Sequence, residues 1–272
     1  MITLDALARE SGTFVMVAMD QRESLRTMFR EHGRDSSDEQ MERFKVAVAR
    51  ELAPYASGFL IDGAHLDAVA PLVAHGLIVA VDRLDQERGG PVEDTALDED
   101  VVPPPGAVAL KLLVTWRDDD RRAGRLAMSR SFVELAARRE LLSVLEPVVR
   151  DDASILEAAR ELGAVRPSLY KCQVPLRGRG DPAEITRRCR EIDAALPVPW
   201  VVLSQGVDPA DFPRAVEAAC KGGASGTLAG RAVWTPAVGD EDPTPSLRDY
   251  SIPRLGELAA IVDAHGRPWS DR

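Results

Sequence analysis

Two of the four lysines in this sequence lie within apolar runs, where a strongly hydrated ammonium group is costly to bury. Lys111 lies in ALKLLVTW and Lys171 lies in SLYKCQVP. Partial desolvation and a second ammonium nearby both lower the pKa of a lysine, and they leave free amine to attack a carbonyl. The two lysines therefore predict imine chemistry. Lys45 and Lys221 lie in helical patterns, and we expect both to be solvated.

Carboxylates stand at the ends of the same kind of run. Asp20 follows the first run (VAMDQR), Glu146 lies in the fifth (SVLEPVV), and Asp62 and Asp82 end the second and third. A carboxylate on a neighbouring strand can move the protons that imine formation and carbon–carbon cleavage require. The same charges are also consistent with a structural ion network at the mouth of a barrel, and spacing alone leaves both readings open.

Two turns near the C-terminus have the composition of an anion site. The first holds Ser204 and Gly206, and the second holds Gly230 and Arg231. Small residues leave backbone N–H groups free to point at an oxyanion, and an arginine adds a bidentate contact. Glycine in tight strand-to-helix turns is the alternative explanation. Because the two turns follow adjacent strands, we predict phosphate binding.

Histidine and cysteine give no indication of a metal site. The histidines, at positions 32, 65, 75 and 265, are scattered without ligand spacing, and we expect them at the surface or in loops. The three cysteines, at positions 172, 189 and 220, contain no CxxC pair, so we expect reduced and mostly buried thiols. The sequence therefore predicts a protein without a metal or another cofactor.

Apolar runs alternate with amphipathic segments along the whole chain. This alternation predicts an α/β fold, a single (β/α)8 TIM barrel over residues 1–272, with the chemistry at the C-terminal ends of the strands. An open doubly wound sheet is the second choice of fold, because no GxGxxG motif follows the first strand. The predicted strands are 13–19, 58–61, 77–81, 108–115, 142–145, 168–172, 200–203 and 224–229.

Helices are predicted between most of these strands, at 38–52, 125–139, 153–162, 182–195, 209–220 and 254–265. Asp181-Pro182 and Asp208-Pro209 each place a capping residue before a first-turn proline. Two stretches lack either pattern. Residues 86–106 and 235–253 are rich in proline, and we expect long surface connections with little helix.

The overall charge argues against several partners. A net charge of −10 and a pI near 5.0 disfavour nucleic acid and anionic membranes. No apolar stretch is long enough to span a bilayer, and residues 1–20 do not have the pattern of a signal peptide. We therefore expect a cytoplasmic protein with a small-molecule partner.

The sequence resembles the class I aldolase family that contains tagatose-bisphosphate aldolase, and more closely its sulfofructose-phosphate aldolase branch. The likeness runs in order along almost the whole chain, in segments that include AMDQR, LKLLVTWR, LEPVVR, LYKCQVPLRGRG, PWVVLSQGVDPADFP, GASGTLAGRAVW and LRDYSIPRLGEL. The resemblance implies a metal-free barrel that reversibly cleaves a ketose phosphate. Such barrels often pair, so we expect a homo-oligomer.

The resemblance also implies roles for particular residues. Lys171 would form the Schiff base, and Glu146 would be the main acid and base. Lys111 would keep Lys171 deprotonated and polarise substrate oxygens, and Asp20 would orient hydroxyls and share in proton transfer. The phosphate of the dihydroxyacetone phosphate half would be held by Ser204, Gly206, Gly230 and Arg231.

The far end of the substrate is less defined by the resemblance. Glu23 stands where the family pattern has glycine and Gln205 where it has a smaller residue, and both departures bear on substrate identity. Candidates for a distal sulfonate or phosphate site are Arg22, Arg177 and Arg179. The resemblance favours sulfofructose 1-phosphate, with tagatose or fructose bisphosphate second. A non-catalytic barrel that senses a sugar phosphate is a third hypothesis.

Overall fold

Eight parallel strands close into a barrel in the computed structural model, which describes residues 2–272. Two further strands form a separate antiparallel hairpin after the third strand. The predicted (β/α)8 barrel is therefore confirmed. The strands are β1 (Phe14–Met19), β2 (Gly58–Asp62), β3 (Leu77–Ala80), β4 (Asp82–Gln86), β5 (Val92–Leu97), β6 (Ala107–Thr115), β7 (Leu142–Val148), β8 (Leu169–Gln173), β9 (Trp200–Leu203) and β10 (Gly226–Ala229).

Helices surround the barrel, and none within residues 2–272 is long and apolar enough to cross a membrane. They are α1 (Glu23–Glu31), α2 (Asp38–Leu52), α3 (Leu66–Val69), α4 (Arg122–Arg138), α5 (Ser154–Gly163), α6 (Pro182–Ala195), α7 (Phe212–Lys221), α8 (Arg231–Trp234), α9 (Thr244–Ser246) and α10 (Ile252–His265). Short helical turns occupy much of the remaining connections.

Side-chain hydroxyls and carboxylates define two of the helix starts. Ser37 accepts a hydrogen bond from the backbone N–H of Gln40 at the start of α2. Asp181 does the same for Ala183 at the start of α6, as predicted. The predicted start at Asp208 is wrong: Asp208 accepts from Ala210 within a turn, and α7 begins four residues later, at Phe212.

Side chains alternate between the interior of the barrel and the surrounding helices. On β1 the interior apolar layer contains Phe14, Met16 and Ala18, whereas Val15 and Val17 pack against the helices. The same period of two runs through the other strands, and it follows from the pleat of a β-strand. The barrel interior is thus filled with apolar layers up to the C-terminal ends of the strands.

The two proline-rich stretches contain more structure than the sequence predicts. Residues 86–106 include the second strand of the β4–β5 hairpin, in which Leu84 pairs with Thr95. Residues 235–253 form a series of short helical turns and α9. Both expectations of an irregular connection are therefore corrected. Strands this short and polar carry no strong period of two in the sequence.

Lys45 is fully buried, which corrects the expectation that it is solvated. Its ammonium contacts the buried carboxylate of Asp62, whose other oxygen lies 2.8 Å from Nδ1 of His65. His65 is accordingly buried as well, not a surface residue. This ion pair joins α2 to the end of β2. Burial favours the neutral form, so the pKa of Lys45 is lowered even though Asp62 opposes that shift.

The three cysteines are buried and free, as predicted. Burial raises the pKa of Cys172 and of Cys220 to about 12. A thiol is a nucleophile only as the thiolate, so these side chains act as small apolar residues in the core.

Candidate active site

The predicted catalytic side chains occupy the top layer of the barrel interior. Asp20, Lys111, Glu146 and Lys171 each stand two positions after the last interior apolar residue of their strand. Those apolar residues are Ala18, Ala109, Val144 and Leu169. The pleat turns every second side chain inward, so the four charged groups converge above an apolar floor.

Lys111 lies among three carboxylates. Its Nζ is 2.7 Å from Oδ2 of Asp20, 3.1 Å from Oδ2 of Asp82 and 2.9 Å from Oε2 of Glu146. The Lys111 side chain is essentially inaccessible to solvent. Three carboxylates this close together repel one another. The arrangement is stable only because the lysine between them carries a positive charge.

The pKa of Lys111 is raised, contrary to the expectation that both apolar-flanked lysines are candidates for a free amine. Burial by itself lowers this pKa, but Asp20, Asp82 and Glu146 outweigh it. Asp20 shows the reciprocal effect. Burial raises its pKa, but Lys111 and Lys171 outweigh burial and hold the pKa well below its ordinary value. Lys111 is therefore a fixed cation, and Asp20 is a fixed anion.

Glu146 also contacts the second lysine. Nζ of Lys171 lies 2.9 Å from Oε1 of Glu146. The other oxygen, Oε2, is within ion-pair distance of Nζ of Lys111, but the two groups are not oriented to form a hydrogen bond. Oε2 therefore has no hydrogen-bond donor within residues 2–272. Register explains the proximity, because Val144 and Leu145 of β7 stand opposite Leu169 and Tyr170 of β8. One more residue along each strand places Glu146 beside Lys171.

Asp82 belongs to the same cluster, although it is not among the predicted catalytic residues. Oδ2 of Asp82 accepts hydrogen bonds from Lys111 and from the backbone N–H of Leu113. Its Oδ1 and its backbone carbonyl each accept from Arg22, at 2.9 Å. The signal was available, since Asp82 ends the third barrel run as Asp20 ends the first. Asp82 therefore holds Lys111 and Arg22 in place.

The two predicted phosphate turns meet at adjacent strand ends. Oγ of Ser204 accepts long contacts from the backbone N–H groups of Gly230 and Ala232, at 3.4 and 3.5 Å. Gly206 adopts a positive φ of 79°, which favours glycine. A Cβ at Gly230 would lie only 2.8 Å from the carbonyl oxygen of Ala18. Weakly engaged N–H groups and small residues leave room for an oxyanion here.

Arg231 faces this space without an ion-pair partner among the described residues. Burial lowers its pKa, while Glu146 and Asp20 act in the opposite direction. Arg177 lies close by: its Cγ and Cδ would each be 3.6 Å from a Cβ on Gly206. Arg177 thus lies beside the phosphate turn, whereas it was predicted to bind the distal anion.

These residues line one cavity of about 600 Å³ at the C-terminal end of the barrel. The lining includes seven basic side chains and five acidic ones, so the cavity is locally positive in a chain of net charge −10. Arg179 is not part of the lining. Within residues 2–272 no group of three or more His, Cys, Asp or Glu side chains could hold a metal ion. The basic residues are Arg22, Lys111, Arg117, Arg150, Lys171, Arg177 and Arg231, and the acidic ones are Asp20, Asp82, Glu146, Asp151 and Asp152.

Known proteins resemble this chain in both sequence and fold. The chain is 25% identical to the tagatose 1,6-diphosphate aldolase of Listeria monocytogenes serotype 4b (strain CLIP80459), over 98% of this chain and 92% of that protein. It is 24% identical to the tagatose 1,6-diphosphate aldolase of Staphylococcus epidermidis (strain ATCC 12228 / FDA PCI 1200), over 99% and 97% of the two chains.

Solved structures share the fold at lower sequence identity. Fructose-bisphosphate aldolase from Plasmodium falciparum superposes with a TM-score of 0.72 at 11% identity, covering 97% of this chain and 93% of that one. An archaeal fructose-1,6-bisphosphate aldolase, whose catalytic lysine is covalently bound to the carbinolamine intermediate, superposes with a TM-score of 0.63 at 18% identity, covering 96% and 98%. These likenesses bear on the fold.

Family membership follows from a match over most of the chain. Residues 14–236 match the family model described as DeoC/LacD family aldolase. The matched range runs from the first residue of β1 past the end of β10, so it contains the whole barrel and all five clustered charged residues, Asp82 included. The chain therefore belongs to the DeoC/LacD family of aldolases and is a carbon–carbon lyase.

Proposed function

We propose that Lys171 forms the Schiff base with the keto carbon of a ketose 1-phosphate. The observation that carries this proposal is the contact between the Lys171 amine and a carboxylate whose second oxygen has no hydrogen-bond donor. An amine can attack a carbonyl only after it loses a proton, and Glu146 is positioned to accept that proton. Lys111 is unsuited to this role because three carboxylates hold it as a cation.

Glu146 then serves as acid and base in turn. It protonates the departing hydroxyl of the carbinolamine, which leaves as water and gives the iminium. It next removes the proton from the hydroxyl on C4, and the C3–C4 electron pair moves into the iminium to give an enamine and an aldehyde. Protonation of the enamine carbon and hydrolysis of the imine release dihydroxyacetone phosphate and restore Lys171.

Lys111 and Asp20 supply fixed charge to these steps. The permanent ammonium of Lys111 can polarise substrate oxygens. Asp20 remains an anion at neutral pH and can accept hydrogen bonds from substrate hydroxyls. Charges held in place by buried neighbours stabilise a transition state without reorganising during the reaction.

The phosphate of the dihydroxyacetone phosphate half occupies the turns around Ser204, Gly206 and Gly230. Arg231 is the cation for this site, because it is partly buried, lines the cavity and has no ion-pair partner among the described residues. Anion binding would therefore offset a desolvation cost that the free protein already carries.

For the substrate we propose sulfofructose 1-phosphate, cleaved to dihydroxyacetone phosphate and sulfolactaldehyde. The resemblance of the sequence to the sulfofructose-phosphate branch supports this choice, and the basic excess in the cavity suits a second anion. Tagatose or fructose bisphosphate is the second candidate, and the names of the relatives favour it. The non-catalytic sensor is set aside because the chain belongs to an aldolase family.

Borohydride trapping with dihydroxyacetone phosphate, followed by peptide mass mapping, tests the mechanism. A reduced adduct on Lys171 is the expected result. An adduct on Lys111 would exchange the roles of the two lysines. If no adduct forms although binding of dihydroxyacetone phosphate is measured independently, the proposed Schiff-base role of Lys171 is wrong.

Turnover of two substrate types tests the choice of substrate. We expect a higher kcat/KM for sulfofructose 1-phosphate than for tagatose or fructose 1,6-bisphosphate. Equal values would remove the claim of sulfonate specificity and leave the aldolase mechanism in place. Lys171→Ala is the blank for background aldehyde release in both assays.

A further inference from the structure

Two arginines continue the line of inward-facing residues beyond the catalytic layer. On β6 the cavity is lined by Lys111, Leu113 and Thr115, and Arg117 follows at the same period of two. On β7 and its continuation the lining residues are Glu146, Val148 and Arg150. The register pairs Leu113 with Glu146 and Thr115 with Val148. Arg117 and Arg150 each come two residues after the Thr115–Val148 pair; both line the cavity, and the charge of Arg150 acts on Arg117.

Arg117 is held in place by its backbone neighbours. One guanidinium nitrogen, Nη1, donates to the carbonyl oxygens of Trp116 and Val148, at 2.7 and 2.9 Å. Its Nε is buried and has no hydrogen-bond partner within residues 2–272. A rigid guanidinium with an unsatisfied donor is suited to binding an anion.

Arg150 forms only a solvent-exposed ion pair. It lies 2.9 Å from Oε2 of Glu93, which belongs to β5 of the hairpin. Both side chains are more than half exposed, so the pair is weak and easily replaced. The hairpin thus presents its own carboxylate to the arginine at the cavity mouth.

The surrounding charges have other partners. Asp94 pairs with Arg121 and Arg125, and Asp119 also pairs with Arg125. Burial lowers the pKa of Arg117, and the positive charge of Arg150 adds to the effect, with Glu93 and Asp119 opposing it. The positive charges of Arg150 and Arg125 thus act on Arg117, and a bound anion would offset them.

The three arginines predicted from the sequence to bind the distal anion are less available for that binding. Both terminal nitrogens of Arg22 donate to Asp82. Arg177 lies against Gly206 at the phosphate turn, and Arg179 is outside the cavity lining. Arg117 and Arg150 are the remaining guanidinium groups that line the cavity away from the phosphate turn.

We propose that Arg117 and Arg150 bind the distal anion of the substrate, a sulfonate or a second phosphate, and that this anion displaces Glu93 of the hairpin from Arg150. The inference rests on the proposed function for the orientation of the substrate, with its first phosphate at Arg231. In this arrangement Glu93 competes with the substrate, and the β4–β5 hairpin sets the preference for a doubly anionic sugar.

Binding of two probes that differ in one phosphate tests the proposal without depending on turnover. Fructose 1,6-bisphosphate and fructose 1-phosphate are titrated calorimetrically into Lys171→Met. The Kd of fructose 1-phosphate divided by the Kd of fructose 1,6-bisphosphate is the ratio that reports the contribution of the distal anion. Arg117→Gln and Arg150→Gln, each added to this background, should reduce that ratio by about tenfold or more. Glu93→Gln should increase it by about two- to fivefold.

Arg130→Gln is the matched control, because it removes one positive charge from an exposed side chain of α4 that lines neither the cavity nor the pocket beside Arg117 and Arg150. Its ratio should equal that of the Lys171→Met background. Circular dichroism melts of each variant exclude unfolding as the cause of weaker binding. A lower ratio in Glu93→Gln would contradict the competition between that carboxylate and the substrate.

The proposal is overturned if both arginine variants keep the background ratio, or if both lose affinity equally for the two probes. Equal loss would mean that the arginines maintain the cavity without binding the distal group. Failure of the proposed function has a different signature, namely no reduced adduct on Lys171 of the unsubstituted protein with dihydroxyacetone phosphate.

Discussion

Lys111 and Lys171 contact opposite oxygens of one carboxylate, that of Glu146, and each distance is 2.9 Å. The two lysines are nevertheless not equivalent. Lys111 has two further carboxylates, Asp20 and Asp82, within ion-pair distance, so it stays charged. The asymmetry supports the proposal that Lys171 is the nucleophile and Lys111 the fixed positive charge.

Lys171→Ala should abolish cleavage and the borohydride adduct, because Lys111, the other amine of the cluster, is held as a cation by three carboxylates. We expect kcat to fall by at least about 1000-fold, as for other essential nucleophiles. Aldehyde release measures kcat, and peptide mapping checks the adduct. Lys221→Ala, at an exposed lysine on α7, should retain the wild-type rate. Retention of substantial activity by Lys171→Ala would contradict the assignment.

Glu146→Gln should slow catalysis by about 100-fold or more while substrate still binds, because the amide cannot exchange the protons of dehydration and cleavage. Steady-state kinetics separate kcat from KM for this variant. An unchanged kcat would transfer the acid and base role to Asp20. A large rise in KM with kcat retained would indicate a binding role.

Arg231→Gln should weaken the binding of inorganic phosphate by about tenfold or more, since the neutral side chain removes a charge-assisted contact. Calorimetric titration with phosphate measures this directly. Arg179→Gln, at an arginine outside the cavity lining, is the control. Equal phosphate affinity in Arg231→Gln and the unsubstituted protein would place the phosphate elsewhere in the cavity.

Lys111→Met should reverse the pH dependence of stability. Without the cation, burial is no longer outweighed at Asp20, so the pKa of this carboxyl group rises above the value of about 4 in the unfolded chain. The stability that such a group contributes is present below pH 4 and is lost as the pH rises through the raised value. We expect a loss of about 3 kcal/mol or more at pH 8 and a smaller loss at pH 5.

In the unsubstituted protein, stability depends on pH in the opposite direction. The pKa of Asp20 is lowered in the folded state, so its contribution is present above pH 4 and is lost only as the pH falls through the lowered value. Denaturation by urea at pH 5 and pH 8 compares the two proteins. Equal losses at both pH values would show that the carboxylates do not depend on Lys111.

Lys45→Met should lower the free energy of unfolding by about 3–5 kcal/mol, because it leaves the buried charge of Asp62 without its cation. Urea denaturation measures the change, and Lys221→Met at the surface should cost under about 1 kcal/mol. A small effect at Lys45 would mean that Asp62 becomes protonated or is solvated in the variant at little cost.

Much of the fold and of the site could be predicted from local patterns. The alternation of apolar runs and amphipathic segments indicated eight strands and the helices around them, because burial imposes periods of 2 and 3.6 on the sequence. The same runs identified Asp20, Lys111, Glu146 and Lys171 as polar residues at strand ends. The parallel topology of a barrel brings such ends to one face.

Only the tertiary structure decided which charges meet. Lys111 contacts Asp20 across 91 residues of chain and Asp82 across 29, and no local pattern encodes those distances. The burial of Lys45 depends on how α2 packs on the end of β2, and the pairing of Glu93 with Arg150 depends on where the hairpin folds. Residue type determines which charges a chain carries, whereas their pKa values and partners follow from side chains that packing brings together.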